Sequence, residues 1–539
     1  MFNSAQQYHH AVQQQLANNK LSEASSLCIE GLKAFPQSGQ LWVTLSDISM
    51  RLGQGKTAIN MAIKAIDCEP DACWHYFHLA GCYLHFQAFA PAKNVLARAR
   101  TIMSQNSDEN AWDKLGELYY TANNLDAAIE AHRQALRCCS DSVSSKNHLA
   151  ALLRFKGQLD DAEQLYQEVL ESEPGNYQAC YALSQLRRVK TAAPLLRHIH
   201  ECEKRLPATH HGHIMLSYAK GKVLEDTGNF DEAFASYQQG ANLKRTQRPY
   251  DIAQDIQLMD TVCRVSDSLQ SVCPPAESAE KTVSQTPLFV LGLPRTGTTL
   301  VERILDSHPE VVSGGELNAF PMALLEAGGK PLSTGLDGLN SELIAALNGE
   351  GLQTLASRYL ALANNHVEGA ARFVDKLPYN FLYCGFILQA IPNAKIIHVK
   401  RNPFDAAVSN FKMLFDRGYE YSYNLEDTAR FIAAYEQLME NWKERFPGQI
   451  HTVEYEQLVT YQQTETQTLL QFCQLPWADD CLHFHRNSNA SQTASASQVR
   501  EPIYQRSVAL WRQFDKHLTP LKTVFAAHGI MPETAKEQS

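Results

Sequence analysis

The stretch GLPRTGTT, residues 292–299, follows the apolar run LFVL and leads into TTLVERILDSHP. The apolar run reads as a strand. Leu300, Ile304 and Leu305 then fall on one helical face, and His308-Pro309 ends the helix. Gly292 and Gly297 have the G-x-x-x-x-G spacing of a phosphate-binding loop between strand and helix. Glycines let backbone N–H groups turn inward, and the helix start adds a partial positive charge. Where a nucleoside-triphosphate loop carries Lys, this one carries Thr298, followed by Thr299. That lysine reaches the β and γ phosphates, and the next hydroxyl holds Mg²⁺. Its absence argues against triphosphate hydrolysis and leaves Arg295 as the local cation, with two threonine hydroxyls as donors.

Further strands and helices alternate downstream. AKIIHVK (394–400) is a strand that runs into RNPFDAAVSNFKMLF, where Asp405, Ala406, Val408 and Phe411 suit a helix. QIHTVEYEQLV (449–459) gives a third strand and another helix start. Such alternation predicts an α/β domain with a parallel sheet. Ligands in such sheets lie at the carboxyl ends of the strands. Arg295 and Arg401 both follow strands, so both can reach one anionic ligand.

The first half has a different period. Ala24, Ala58, Ala92, Ala128 and Ala162 recur at intervals of about 34 residues, as do Leu45, Leu79, Leu115 and Leu149. This is the pattern of tetratricopeptide repeats, antiparallel helix pairs in which a small residue lets two helices approach closely. Five units are expected over residues 5–174. A sixth starts at Gly175 and turns irregular near Lys190, and a further unit has Gly228 at its turn and Ala233 at the small position. Such a solenoid offers a concave surface for an acceptor or partner. The expected organisation is a repeat domain over 1–264, a linker over 265–287 and an α/β domain over 288–539.

The chain has 539 residues, a net charge of −10 and 13 cysteines without a C-x-x-C pair. The charge gives no support for nucleic-acid binding, and the cysteines read as inert thiols of a reducing compartment. The first residues lack a secretory pattern and no run approaches a membrane span, so a cytoplasmic location is expected.

Several segments together resemble one family, the sulfotransferases. PRTGTT with LVERILDSHP is similar to their 5′-phosphosulfate segment, and VKRNPFDAAVSNF to their 3′-phosphate segment. GGELNAF, DKLPYN, VEYEQLV and TASASQVREPIY complete the set. Order and spacing resemble tyrosylprotein sulfotransferases, and more closely bacterial proteins that join tetratricopeptide repeats to such a domain. The resemblance implies 3′-phosphoadenylyl sulfate as co-substrate and no required metal. By position, Arg295, Thr296, Gly297, Thr298 and Thr299 would cradle the 5′-phosphosulfate. Arg401 and Ser409 would hold the 3′-phosphate, and Tyr455 would pack near the adenine. Ser495, Gln498 and Arg500 lie in the stretch that closes over the nucleotide. The resemblance places the catalytic base at Glu316. Lys376 would bridge to the leaving oxygen, assisted by Arg295 and Ser495. Homodimers are expected by analogy alone.

Other readings stay open. His308 and His398 are rival bases, although a helix end and a mid-strand position both suit structural roles. Cys481, His483 and His485 alternate as on a strand but lack the ligand set of a metal site. The segment after Glu316 reads LNAF rather than a basic pattern, and Leu510 replaces the basic residue expected before Trp511. Both differences argue against close copying of peptide-tyrosine recognition. A P-loop kinase or NTPase, and a repeat adaptor with an inactive sulfotransferase-like domain, are the alternative functions. The Gly-rich stretch 328–341 is expected near the acceptor.

Overall fold

The computed structural model describes residues 2–103, 108–272, 285–330, 339–347, 349–416, 418–487, 489, 493 and 498–532. These divide between two compact units, one ending at Leu152 and one starting at Leu153. The units therefore part inside the repeat run, rather than at residue 264.

The first unit is built of helix pairs, Ala5–Ala17 with Leu21–Ala34, Gly39–Arg51 with Gly55–Cys68, Cys73–His85 with Phe89–Met103, and Glu109–Thr121 with Leu125–Cys138. The periodic alanines Ala24, Ala58, Ala92 and Ala128 are all at 0% exposure, so nothing larger fits there without displacing a helix. Ser4, Ser38 and Asp108 cap the first helices of three pairs, each accepting a hydrogen bond from the N–H three residues on. Asn124, rather than the neighbouring Asp126, caps the helix containing DAAIEAHRQAL.

The repeats continue into the second unit as Leu159–Ser172, Tyr177–Leu186, Ala192–Arg205, Gly212–Asp226, Phe230–Gln247 and Ile252–Val272. The irregular sixth unit is thus a helix pair with a short first member. The last helix runs through the first eight residues of the stretch expected as linker.

The sheet has five parallel strands, β1 (Thr286–Gly292), β2 (Val312–Ser313), β3 (Arg372–Lys376), β4 (Lys395–Lys400) and β5 (Ile450–Glu454), in the order β2-β3-β1-β4-β5. β1 is central and Leu288–Leu291 are fully buried, which explains a continuous apolar run instead of an alternating one. On one face Leu288 and Val290 join Val301, Ile304 and Leu305 of the following helix. On the other Phe289 meets Phe320 edge-on at 6.1 Å and stacks on Tyr359 at 5.3 Å. The chain leaves β1 toward β2 and β3, then crosses to β4 and β5. This change of direction opens a crevice at the carboxyl ends of β1 and β4, where ligands of such sheets bind. β2 and β3 were not among the strands read from the sequence.

Within the second unit, repeat helices carry charged and aromatic side chains onto the sheet domain. Arg245 pairs with Asp427 at 2.5 Å and Arg248 with Glu420 at 3.1 Å. Phe234 stacks on Phe411 at 5.5 Å and on His517 at 4.4 Å. Among the described residues no helix is long and apolar enough to cross a membrane.

Candidate active site

The loop after β1 turns through three positive φ angles, at Gly292 (148°), Arg295 (67°) and Gly297 (104°). At Gly292 a Cβ would lie 2.4 Å from the Val399 carbonyl oxygen of β4. At Gly297 it would lie 2.7 Å from the Tyr455 ring. Both glycines of the motif are therefore required by close approach as well as by backbone angle. The helix Thr298–Asp306 starts immediately after, with its first N–H groups facing the loop.

Other elements hold this loop from outside. Thr296 donates its hydroxyl to the Leu293 carbonyl at 2.7 Å, so that hydroxyl shapes the loop itself. Asn410 donates to the Pro294 carbonyl at 2.8 Å and accepts from Tyr421 at 3.1 Å. Arg401, at the end of β4, donates to the Arg295 carbonyl at 2.9 Å and the Ser507 carbonyl at 2.5 Å. Its guanidinium lies over the Tyr455 ring at 4.8 Å, and its buried Nε has no hydrogen-bond partner among the described residues. Arg295 donates to the Gln498 side chain at 2.9 Å, and burial pulls its guanidinium below the usual arginine range.

Arg295, Gly297, Thr299, Arg401, Ser409, Tyr455 and Gln498 line one cavity of about 340 Å³. Ser409 stands on the helix Pro403–Phe411 that follows Arg401, so the Arg-to-Ser spacing brings both to one wall. Tyr455 opens the helix Tyr455–Thr460 after β5. Asp405, in the same Arg-to-Ser segment, accepts from the N–H groups of Ala509 at 2.7 Å and Trp511 at 2.9 Å. Burial pushes its carboxyl up, while Arg401 and those two N–H groups pull it back. Asp405 and Asn410 fasten the C-terminal segment and the glycine loop to one helix. Sequence reasoning missed both, because their partners lie about a hundred residues away.

Arg500 sits differently from the other residues expected at the nucleotide. It donates to the backbone carbonyls of Asn487 at 2.7 Å, Asn489 at 2.8 Å and Phe155 at 3.2 Å, and does not line the cavity. Thr298 is buried at the helix start, and Thr299 donates to the Thr493 hydroxyl at 3.3 Å. Ser495 and most of the Gly-rich stretch 328–341 lie outside the described residues.

A second group forms at the ends of β2 and β3. The backbone beyond β2 keeps pairing with β3. Gly314 N–H donates to the Val374 carbonyl and Lys376 N–H to the Gly315 carbonyl, both at 2.9 Å. Gly315 then turns at a φ of 73° and presents Glu316. The Lys376 ammonium, 1% exposed, pairs with Glu316, whose side chain is 46% exposed, and with Glu302 at 3.8 Å. Lys376 is therefore buried between two carboxylates. Glu302 also accepts from the Ser313 hydroxyl at 2.7 Å. Burial pushes its carboxyl up, and Lys376 and Ser313 counter this. Glu302 was hidden in the helix pattern of TTLVERILD, where it reads as a polar-face residue. Beside Lys376, the fully buried Asp375 is pushed up to about 8 by burial while accepting from Tyr359 and Asn380.

The histidine candidates occupy structural positions. His308 is within hydrogen-bond distance of the Pro476 carbonyl at 2.9 Å and accepts from the Glu310 N–H at 3.1 Å. His398 is buried on β4, 2.5 Å from the Tyr435 hydroxyl, and burial holds its imidazole well below the usual range. Cys481, His483 and His485 lie on a 3₁₀ helix, Asp479–Arg486, and not on a strand. Cys481 and Phe484 are buried at the three-residue period of that helix. Among the described residues, one group could bring metal-ligating atoms together, Asp113, His132 and His148 of the first unit, within 4.8 Å of one another. There Asp113 already accepts from Ser144 and Ser145 at 2.9 Å and lies 2.8 Å from His132 and 3.3 Å from His148.

Comparison with known proteins agrees with this architecture. Residues 287–479 match the model of the sulfotransferase family, and residues 142–172 and 216–247 match tetratricopeptide-repeat models. A putative protein-tyrosine sulfotransferase of Caenorhabditis briggsae is 30% identical over 42% of this chain and 80% of its own length. An uncharacterized protein of Aquifex aeolicus is 39% identical over 44% of this chain and 32% of its own length. A protein-tyrosine sulfotransferase of Drosophila melanogaster is 25% identical over 42% of this chain and 46% of its own length. The chain thus spans less than half of the Aquifex and Drosophila relatives. It belongs to the sulfotransferase family, with tetratricopeptide repeats preceding the α/β domain.

Proposed function

We propose that this protein moves a sulfuryl group from 3′-phosphoadenylyl sulfate to an acceptor hydroxyl. The observation that carries the reading is that Arg401, Ser409, Tyr455 and the glycine loop line one cavity. A terminal 3′-phosphate suits the guanidinium and hydroxyl of that wall, and the loop has Thr298 where a triphosphate with Mg²⁺ calls for lysine. When bound, the donor supplies a sulfuryl group on its 5′-phosphate, open to in-line displacement.

The chain's own residues divide the work. Arg401 and Ser409 bind the 3′-phosphate, and Tyr455 packs beside the base. The N–H groups of the loop and of the Thr298–Asp306 helix, with Arg295 and Thr299, orient the 5′ end and stabilise charge on the departing oxygen. Ser495 is assigned to the same oxygen. Glu316 accepts the acceptor hydroxyl proton as the new S–O bond forms and the S–O bond to phosphate breaks. Lys376 orients the Glu316 carboxylate through their ion pair, and its ammonium adds positive charge at the reacting end. No residue in this scheme needs a metal ion. The repeats recruit or shape the acceptor.

Replacing Glu316 with Ala is expected to abolish release of adenosine 3′,5′-bisphosphate from the donor in the presence of a cell-extract acceptor pool, while bisphosphate binding stays near wild type. Wild-type turnover in that variant would remove Glu316 from the role of base.

A further inference from the structure

The cavity that holds Arg401 and Ser409 is not closed by the sheet domain alone. Arg187, Arg188, Lys222, Glu225 and Tyr237, all from repeat helices and their turns, line the same space. The basic residues along it have unequal partners. Arg187 pairs with Asp160 at 2.8 Å and Glu163 at 3.3 Å. Lys222 pairs with Asp226, and Lys412 with Glu225 at 2.5 Å. Arg506 pairs with Glu501 at 2.7 Å. Arg188 and Arg401 have no carboxylate within ion-pair distance among the described residues.

Arg188 sits in the turn between the helices Tyr177–Leu186 and Ala192–Arg205. That turn is fastened next door, where the Val189 N–H donates to the Asp226 carboxylate at 2.9 Å. Asp226 therefore spends its charge on Val189 and Lys222, and Arg188 reaches only its backbone carbonyl, at 3.4 Å. The result is an exposed guanidinium on a fixed turn, lining the same cavity as a second arginine without a carboxylate among the described residues. Two such cations on one cavity raise its potential and favour a multiply charged anion.

We infer that Arg188 is a donor-binding residue, supplied by the repeats, that neutralises the 3′-phosphate together with Arg401. This inference rests on the donor reading above. It makes the repeats after Leu153 part of the nucleotide site as well as a platform for the acceptor. Arg188 touches no reacting atom, so its effect falls on donor affinity and not on the chemical step.

The test uses the full chain and two probes, adenosine 3′,5′-bisphosphate and adenosine 5′-monophosphate, titrated against wild type, Arg188→Ala and Arg401→Ala. Arg188 is on the surface, and unchanged melting of the unliganded variant checks its fold. Arg188→Ala is expected to weaken bisphosphate binding by about tenfold, as loss of a charge-assisted phosphate contact does, and to leave monophosphate binding unchanged. Wild-type bisphosphate affinity in Arg188→Ala alongside weakened binding in Arg401→Ala overturns the inference and keeps the donor reading. Wild-type affinity in both variants overturns both. Equal weakening toward both probes also overturns the inference, since it assigns Arg188 to the 3′-phosphate alone.

Discussion

The repeats before Leu152 and those after Leu153 share a period and a set of buried alanines, yet direct their polar side chains differently. In the first unit Asp113 collects His132, His148, Ser144 and Ser145, all from neighbouring repeat helices. In the second unit Glu225, Arg245 and Arg248 instead pair with Lys412, Asp427 and Glu420 of the sheet domain. The 34-residue pattern fixes how helices stack but says nothing about what their outer faces meet. A few charges, outside the repeat pattern, join repeat helices of the second unit to the sheet domain.

The largest expected effect lies at the Glu225–Lys412 pair. Glu225→Ala leaves a Lys412 side chain of 14% exposure without its counter-charge, and Tyr237 without the acceptor it reaches at 2.9 Å. Breaking a buried pair costs about 3–5 kcal/mol, read as a lower urea midpoint. A loss under about 1 kcal/mol would show that the pair does not hold the repeats to the domain. Next comes the shared feature. Ala128→Leu overfills a fully buried contact in the first unit and should destabilise it by about 1–3 kcal/mol. A neutral outcome would break the argument that the small position is closed.

Per pH unit the smallest effect, and the sharpest contrast, lies in titration. Hydrogen bonds from His132 and His148 hold the Asp113 carboxyl far below the usual range, against the pull of burial. Its contribution is present above the unfolded value, about 4, and is lost as pH falls through the depressed folded one. Hydrogen bonding to Asp113 raises the His148 imidazole, so that contribution is full below about 6.5 and fades as pH rises through the raised value. Asp375 behaves oppositely to Asp113. Burial pushes it up to about 8, so the fold binds its proton more tightly and stability declines with pH between about 4 and 8. One proton gives at most about 1.4 kcal/mol per pH unit. Asp375→Asn should flatten that decline in chemical-denaturation curves. An unchanged slope would mean that Asp375 ionises normally.

The same contrast explains what could be read from sequence. Repeats were legible because one alanine every 34 residues is a local, periodic signal. Arg295 and Arg401 were legible because each follows a strand, whereas Ser409 and Tyr455 were named only through the family resemblance; all four line one cavity. Asn410, Asp405, Glu302 and Arg188 were not, since each acts through a partner far away in sequence or through a cavity formed only on folding. The two residues of β2 are too few to show a period. His483 and His485 misled because an H-x-H alternation in eight residues fits a strand and a 3₁₀ turn alike, and only burial of Cys481 and Phe484 separates them. Thr296 was placed in the phosphate cradle, but its hydroxyl is taken by the loop's own Leu293 carbonyl.

The central claim is that the loop opened at Gly292, together with Arg401, binds a bisphosphate adenosine nucleotide rather than a triphosphate. Its most direct measurement is the melting temperature of the full chain with adenosine 3′,5′-bisphosphate and, separately, with ATP and Mg²⁺. A ligand at a hundred times its Kd stabilises the native state by about 2.7 kcal/mol. The account predicts a clear upward shift with the bisphosphate and a small one with ATP and Mg²⁺. A larger shift with ATP and Mg²⁺, or none with the bisphosphate, would contradict it.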